Sequence, residues 1–220
     1  CEMISDTDAD FAINSIIGTP GLKPTLATIE SGKNLALANK ESLVIAGEIV
    51  MKTAKERGVE ITPVDSEHCA IAQCLRCGKN EEVKRLIVTA AGGPFFGKTR
   101  EDLRDVTVAQ ALKHPNWSMG AKITVDSATM MNKGLELIEA VWLFDVDPSD
   151  IDIVVHRESI VHSLIEYRDN SVIAQLGVPD MRIPIQYALT YPDRFVSPVG
   201  QLDLTQAATL TFEKPDTNKF

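Results

Sequence analysis

The first ninety residues alternate between short apolar runs and longer amphipathic stretches. The strand-like apolar runs lie at 12–17, 34–38, 59–64 and 86–89. The stretches between them with helical periodicity lie at 22–31, 41–57 and 67–77. Gly58 follows the second of these, where a glycine is expected to end a helix. Strand–helix–strand alternation predicts a parallel sheet with helices packed against it, and hence an α/β fold.

The pattern changes after Gly92. The predicted order is a loop at 92–97, a short helix at 107–113, a loop at 114–120, a strand at 122–125, a helix at about 128–143 and a strand at 151–155. Two alternating segments at 161–167 and 172–175 flank a polar turn and predict a hairpin. From Pro192 onward the periodicity is lost, which predicts a connecting arm.

Composition narrows the class of protein. The chain is 44% hydrophobic and 24% charged, which is typical of a folded protein with a core, and its net charge is −9. No basic patch stands out, so nucleic acid is not an expected partner. No apolar run approaches the roughly 20 residues that a bilayer span needs. If this acidic protein binds an anion, its positively charged side chains are expected to be concentrated at one site.

The four cysteines are Cys1, Cys69, Cys74 and Cys77. The last three have a C-x4-C-x2-C spacing that also occurs in plant-type iron–sulfur proteins. An iron–sulfur or zinc site is therefore one hypothesis. The surrounding Ala, Ile, Leu and Gln, without Gly or Pro to form a ligand loop, favour buried thiols on a helix instead.

Two carboxylates, Asp65 and Glu67, flank Ser66 where a predicted strand ends and a helix begins. Clustered carboxylate oxygens at such a strand end are suited to a hard divalent cation. The alternative is that Asp65 caps the helix and Glu67 lies in its first turn, and the tripeptide alone favours that alternative.

A narrow polar stripe on the predicted helix at 128–143 contains Thr129, Asn132, Lys133 and Glu136. Apolar residues flank it on both sides, whereas a solvated helix face is normally wider and richer in charge. The stripe therefore indicates polar groups that face a cleft, with Glu136 as a third cation ligand and Asn132 and Lys133 as anion ligands. The alternative is the exposed edge of an amphipathic helix.

Ser127 lies at the predicted start of the same helix, where free N–H groups and the helix dipole attract phosphate. Together with Asn132, Lys133 and His114 it indicates a phosphate pocket. The alternative is that Ser127 only caps the helix.

Other polar and aromatic residues are ambiguous when taken singly. Lys40 follows a predicted strand and either reaches a ligand there or lies on the surface. Trp117 and Met119 lie in a polar loop and either cover a ligand as a lid or fold onto the core. His156 and His162 have no metal-ligand spacing and are interpreted as structural histidines.

Several segments resemble, in the same order, segments of 1-deoxy-D-xylulose 5-phosphate reductoisomerases. They are NKESLV at 39–44, PVDSEH at 63–68, GGPF at 92–95, HPNWSMG at 114–120, VDSATMMNKGLE at 125–136, QLG at 175–177 and PDMR at 179–182. The resemblance covers nearly the whole chain, and the segment at 125–136 is its most specific part.

The resemblance implies an enzyme that converts 1-deoxy-D-xylulose 5-phosphate to 2-C-methyl-D-erythritol 4-phosphate in non-mevalonate isoprenoid biosynthesis. It implies NADPH and a divalent cation, Mn²⁺, Mg²⁺ or Co²⁺, as cofactors. The implied metal ligands are Asp65, Glu67 and Glu136, which with Lys40 form the catalytic set. The implied substrate ligands are Lys40, Ser66, Glu67, His114, Ser127, Asn132, Lys133 and Glu136. The implied cofactor contacts are Asn39, Glu41 and Gly120, and the implied lid residues are Trp117 and Met119.

The resemblance also implies an organisation for the chain. Residues 1–64 are expected to be the parallel-sheet remainder of a Rossmann-like NADPH-binding domain, 65–192 an α+β catalytic domain and 193–220 a connecting arm. The family's glycine-rich cofactor loop and its C-terminal helical domain are expected outside this sequence, and Ala91 stands where the family usually has serine. A homodimer in the cytoplasm of a bacterium, or in a plastid, is expected. The alternative is a truncated, non-catalytic module that binds sugar phosphate.

Overall fold

Two β-sheets and the helices packed on them form the fold in the computed structural model, which describes residues 1–117, 119–207 and 209–216. The strands are β1 (Phe11–Asn14), β2 (Asn34–Leu37), β3 (Ile61–Pro63), β4 (Val83–Ala90), β5 (Ile151–Val155), β6 (Val161–Tyr167) and β7 (Val172–Leu176). The helices are α1 (Glu2–Asp6), α2 (Leu22–Glu30), α3 (Lys40–Arg57), α4 (Ser66–Cys74), α5 (Val108–Ala111), α6 (Ala121–Ala128), α7 (Met131–Phe144), α8 (Arg182–Thr190) and α9 (Leu204–Ala207). The predicted α/β class is confirmed.

The first sheet is parallel, with the strand order β1-β2-β3. The apolar side chains of β2 pack against those of α2 and α3, because alternate residues of a strand and one stripe of each helix face the same side. The buried residues of this core are Ile29, Leu35, Leu37, Leu43, Val50, Ala54 and Val59. Helix α3 ends as predicted at Gly58, whose φ of 65° lies in the left-handed region that glycine adopts without strain.

The second sheet has the order β5-β4-β6-β7 and is mixed. Strand β4 is parallel to β5 and antiparallel to β6, which forms the predicted hairpin with β7. The expectation that the run at 86–89 continues the first parallel sheet was therefore wrong, because periodicity shows that a segment is a strand but not which partner it pairs with. The buried residues of this second core are Ile71, Cys74, Leu86, Val88, Ala140, Ile151, Ile165 and Tyr167.

Helices α3 and α7 pack against each other and join the two sheets. Gly47 of α3 lies directly against the indole ring of Trp142 of α7, so closely that a Cβ at this position would overlap the ring. The backbone of the preceding residue, Ala46, departs from helical geometry, with φ −141° and ψ 32°. The contact between the two helices therefore depends on a glycine at 47.

The predicted strand at 122–125 was wrong, because this segment is part of helix α6. Ile123 and Val125 imitate the alternation of a strand, but the buried residues are Thr124 and Ala128, which are four apart as in a helix. The chain then breaks at Met130, whose φ is 60°, and a separate helix, α7, begins at Met131.

The predicted arm is mostly irregular and returns to the second sheet. Beyond Pro192 the described residues form only the short helix α9 and one antiparallel bridge between Glu213 and Val155. Position 208 and positions 217–220 of the predicted arm lie outside the described residues. Within the described part of the chain, no helix is both long and apolar enough to span a bilayer.

Candidate cation and substrate site

A cavity of about 210 Å³ opens where β2, β3 and β4 end and α7 begins. Most of the residues that the sequence singles out line it. These are Lys40, Asp65, Ser66, Glu67, His114, Trp117, Met119, Ser127, Asn132, Lys133 and Glu136. The carboxyl ends of strands in an open α/β sheet are the expected place for a ligand, because the loops that follow neighbouring strands converge there.

Three carboxylates from two distant parts of the chain meet at this cavity. Asp65 follows β3, Glu67 lies in the first turn of α4 and Glu136 lies on α7. One oxygen atom from each lies within 4.8 Å of the others, and clustered oxygens are the ligands that hard divalent cations require. Asp65 occupies the N-cap position of α4, but its side chain accepts no capping hydrogen bond. The donor set therefore fits a divalent cation better than it fits a helix cap.

Two buried lysines hold these carboxylates together. Lys40 Nζ lies 2.6 Å from Asp65 Oδ2 and 3.2 Å from Glu136 Oε1. Lys133 Nζ lies 2.8 Å from Glu67 Oε1 and also contacts Glu136 Oε2. Burial lowers the pKa of each lysine, but the surrounding carboxylate charges outweigh it, and both pKa values are raised. A cation at this site would therefore share its carboxylate oxygens with two ammonium groups.

The charges of the cluster also shift the pKa values of the carboxylates. Burial, followed by the negative charge of Glu136, raises the pKa of Glu67 to about 7. Burial acts in the same direction on Asp65, but the ammonium of Lys40 and the nearby His68 outweigh it and hold the pKa of Asp65 well below its ordinary value. Additional positive charge would stabilise the ionised form of Glu67, so the cluster is electrostatically suited to a divalent cation.

Two residues behind the carboxylates were not recognised as site residues from the sequence. His68 Nε2 lies 2.9 Å from the backbone oxygen of Glu136, and His68 Nδ1 lies 3.5 Å from Glu139 Oε2. Burial raises the pKa of Glu139 to about 7, although the charge of His68 opposes that shift. The signal was present in the spacing, because Glu139 lies three residues after Glu136 and His68 lies three residues after Asp65.

Asp65, His68 and Glu139 form a second cluster with ligand atoms within 4.8 Å of one another. His68 and Glu139 are completely buried and do not line the cavity, whereas all three carboxylates of the first cluster do. A cation that must contact a ligand in the cavity therefore belongs to the first cluster.

The structure changes the interpretation of Ser127 and Thr129. Ser127 lies in the last turn of α6 rather than at the start of a helix, because α6 replaces the predicted strand and the predicted helix begins only at Met131, as α7. The argument that Ser127 caps a helix and attracts phosphate through its dipole was therefore wrong, although the residue lines the cavity. Thr129 is exposed at the break and does not extend the polar stripe of α7.

Two further polar residues of the cavity, Asn132 and Ser66, form hydrogen bonds with the carboxylates. Asn132 Oδ1 accepts a hydrogen bond of 2.9 Å from Lys40 Nζ, and Asn132 Nδ2 donates to Glu136 Oε1. Ser66 Oγ donates to Glu67 Oε2 at 2.6 Å. The polar stripe is therefore directed into the cleft, as the sequence indicates, and not along an exposed helix edge.

The loop that contains Trp117 and Met119 borders the cavity. His114 Nδ1 accepts hydrogen bonds from the backbone N–H groups of Asn116 and Trp117, at 3.2 Å and 3.0 Å. The ring of Trp117 lies 6.2 Å from that of His162. This placement favours the lid hypothesis over packing into either hydrophobic core.

The ring of His156 is held by the backbone, as expected of a structural histidine, but both His156 and His162 also line the cavity, which the sequence did not indicate. The Nδ1 of His156 donates to the backbone oxygen of Thr211 at 2.9 Å, while its Nε2 accepts from the N–H groups of Ile160 and Val161. Both ring nitrogens are therefore engaged by the backbone. His162 is also buried, and burial lowers its pKa.

The three predicted cofactor contacts, Asn39, Glu41 and Gly120, lie next to the cavity but not in its wall. Asn39 caps α3, because its Oδ1 accepts from the N–H of Ser42 at 3.0 Å. Its Nδ2 donates to the backbone oxygen of Gly18 at 2.9 Å. Glu41 forms an ion pair of 2.7 Å with Lys122 of α6. These contacts order the edge of the first sheet.

The cysteines do not form a cluster. Cys69 and Cys74 are buried, and burial raises the pKa of each thiol to about 12. Cys77 is exposed, so the prediction of buried thiols was wrong for this residue, which follows the end of α4. No group of potential metal ligands among the described residues includes a cysteine, which favours the non-metal interpretation of the C-x4-C-x2-C spacing.

Fold and site together define a mixed α/β protein with an acidic candidate cation site at the carboxyl edge of a parallel sheet. Three family models match the chain: 1-deoxy-D-xylulose 5-phosphate reductoisomerase at 1–47, its C-terminal domain at 61–144, and DXP reductoisomerase C-terminal domain at 176–220. The chain belongs to the 1-deoxy-D-xylulose 5-phosphate reductoisomerase family.

Individual relatives agree with the family models. The chain is 58% identical over 214 residues to the 1-deoxy-D-xylulose 5-phosphate reductoisomerase of Geobacillus sp., covering 97% of the chain and 56% of the relative. It is 61% identical over 213 residues to that of Clostridium botulinum, covering 97% of the chain and 55% of the relative. The chain thus spans a little over half the length of these relatives.

Solved structures have the same fold over the whole chain. A structure of DOX-P reductoisomerase in complex with NADPH, fosmidomycin and magnesium matches with a TM-score of 0.95 and 50% identity, covering 100% of this chain and 56% of that one. The enzyme from Zymomonas mobilis in complex with NADPH matches with a TM-score of 0.92 and 46% identity, covering 100% and 57%.

Proposed function

We propose that this chain is the cation- and substrate-binding part of an NADPH-dependent reductoisomerase that converts 1-deoxy-D-xylulose 5-phosphate to 2-C-methyl-D-erythritol 4-phosphate. The observation that carries the proposal is the meeting of Asp65, Glu67 and Glu136 at one cavity that Lys40 and Lys133 also line. Relatives with this name, and solved relatives with NADPH and magnesium, support it.

The cation is proposed to be Mn²⁺, Mg²⁺ or Co²⁺, held by Asp65, Glu67 and Glu136. When bound, such a cation supplies Lewis acidity toward the oxygens of a ketose and so stabilises negative charge on them. The three ligands come from two separate elements, so the site depends on the packing of α7 against the β3–α4 connection. That dependence explains how residues about seventy positions apart serve one ion.

The other cavity residues are proposed to bind and orient the substrate. Lys40 and Ser66 lie beside the carboxylates and are suited to hydrogen bonding with substrate hydroxyls. The residues proposed to bind the phosphate are His114, Ser127, Asn132 and Lys133. Binding the phosphate away from the reacting carbons provides binding energy that orients them. Trp117 and Met119 are proposed to exclude water once the site is filled.

The organisation of the whole protein belongs to the same proposal. Residues 1–64, which contain the parallel sheet, are proposed to contribute to an NADPH-binding domain through Asn39, Glu41 and, from α6, Gly120. Residues 65–192 are proposed to be the catalytic domain and 193–220 the connecting arm. A homodimer that acts in the cytoplasm of a bacterium, on a phosphorylated deoxyketose, completes the proposal.

The experiment is to follow the absorbance of NADPH with the complete natural protein, 1-deoxy-D-xylulose 5-phosphate and Mg²⁺ or Mn²⁺. NADPH is expected to be consumed only when ketose phosphate and cation are both present. A chelator is expected to stop consumption, and added Mn²⁺ to restore it. Binding of the ketose phosphate without NADPH consumption would instead favour the alternative, a non-catalytic sugar-phosphate-binding module.

A further inference from the structure

Arg157 connects two loops that border the cavity, although it does not line the cavity itself. It lies just after β5, and its Nη1 donates hydrogen bonds to the backbone oxygens of Ala91 and Gly93, at 2.8 Å and 2.9 Å. Its guanidinium also lies over the ring of Phe96, 4.7 Å from the centroid. One side chain therefore fixes both ends of a short turn, since a guanidinium presents several donors in one rigid plane.

The main-chain oxygen of Arg157 holds the second loop, at 114–117. This oxygen accepts a hydrogen bond from Asn116 Nδ2, which also donates to Ser159 Oγ at 2.9 Å. Asn116 directly precedes Trp117, the proposed lid residue. The turn at 157–159 is therefore a common support for the loop at 91–97 and the loop at 114–117.

The contacts of Arg157 also determine which way a backbone donor points. Gly92 and Gly93 have φ values of 79° and 64°, a geometry that needs glycine. In a trans peptide the C=O and N–H bonds point in opposite directions. Because the Ala91 carbonyl points at the guanidinium, the N–H of Gly92 points away from it, and Gly92 lies in the wall of the cavity. Ala91 itself has no hydroxyl to offer there.

We propose that Arg157 is a positioning residue whose guanidinium orients the Gly92 N–H toward an oxygen of the phosphorylated substrate. The proposal rests on the proposed function, because it assigns the oxygen that the N–H binds to that substrate. The Arg157 side chain acts through the loop at 91–97 and touches no reacting atom.

The test compares Arg157→Met and Arg157→Lys with Arg168→Met, which removes an exposed arginine from the hairpin turn and serves as the matched control. In the complete protein, Arg157→Met is expected to raise KM for 1-deoxy-D-xylulose 5-phosphate about tenfold, the equivalent of one charged hydrogen bond. The value of kcat is expected to change less. Arg157→Lys keeps the positive charge but not the contacts with both backbone oxygens. Its KM is therefore expected to lie between those of the wild type and of Arg157→Met.

Amide hydrogen exchange supplies a readout that does not depend on turnover. Arg157→Met is expected to accelerate exchange in 91–97, where two backbone oxygens lose the guanidinium. Exchange in α3 and in 114–117 is expected to stay unchanged, because the main-chain oxygen that Asn116 contacts remains. An unchanged KM, or unchanged exchange in 91–97, would overturn the proposal. If the wild-type protein shows no turnover, the proposed function fails, while hydrogen exchange still shows whether the Arg157 side chain holds the loop at 91–97.

Discussion

Glu136→Gln is expected to weaken the binding of Mn²⁺ by at least about 100-fold, because loss of a direct ligand should exceed the 10–100-fold typical of outer partners. Glu136 is the proposed ligand from α7, and it is buried among Lys40, Lys133 and Asn132. Glutamine preserves the shape of the side chain but removes the charge. Lys40 and Lys133 keep Asp65 and Glu67 as partners, so the fold is expected to tolerate the change.

The measurement is calorimetric titration with Mn²⁺ in the complete protein. Glu48→Gln is the matched control, because it removes the same charge from an exposed position on α3. The control is expected to bind Mn²⁺ like the wild type. Equal affinities for the Glu136 and Glu48 variants would contradict the assignment of Glu136 as a ligand.

Gly47→Ala is expected to lower the free energy of unfolding by about 3 kcal/mol, the upper part of the range for overpacked cores. The new Cβ would overlap the indole ring of Trp142, and the contact lies in the α3–α7 interface that joins the two sheets. A shift of α7 would move Glu136 relative to Asp65, and a shift of α3 would move Lys40, which contacts both carboxylates. Thermal or denaturant unfolding measures the loss.

Gly134→Ala is the matched control for this substitution. Gly134 lies within α7, and a Cβ there would meet no atom within 4 Å. Alanine is therefore expected to stabilise the helix by up to about 1 kcal/mol, because glycine has the lower helix propensity. If the Gly47 variant proved as stable as the Gly134 variant, the close approach of α3 and α7 would not require glycine at position 47.

The local pattern of apolar and polar residues was sufficient to predict elements that are determined by the residues within and directly beside them. Helix α3 begins and ends close to the predicted positions because an asparagine cap precedes it and Gly58 ends it. The hairpin of β6 and β7 was predicted because a polar turn separates two alternating segments. Neither prediction requires knowledge of distant contacts.

Elements that depend on contacts with distant residues could not be predicted from the local pattern. Strand β4 pairs with β5 and β6 in the second sheet. These strands come more than sixty residues later in the sequence, so the local pattern could not identify them as its partners. The segment at 122–125 became helical although Ile123 and Val125 alternate with polar residues, since its buried residues are four apart.

The candidate site shows the same division. Its residues were found through their chemistry and through resemblance, and the structure brings Asp65, Glu67 and Glu136 together at one cavity. The contacts of Lys133 with the carboxylates and the supporting role of Arg157 could not be predicted, because they depend on side chains brought together from distant parts of the chain. Charge and spacing identify candidates, whereas packing decides what each one contacts.

The most direct test of the cation site is anomalous diffraction from crystals of the complete protein grown with Mn²⁺. The prediction is an ion bound to carboxylate oxygens of Asp65, Glu67 and Glu136, at distances of roughly 2.0–2.3 Å. An ion coordinated by His68 and Glu139 instead, or bound without Glu136, would contradict it.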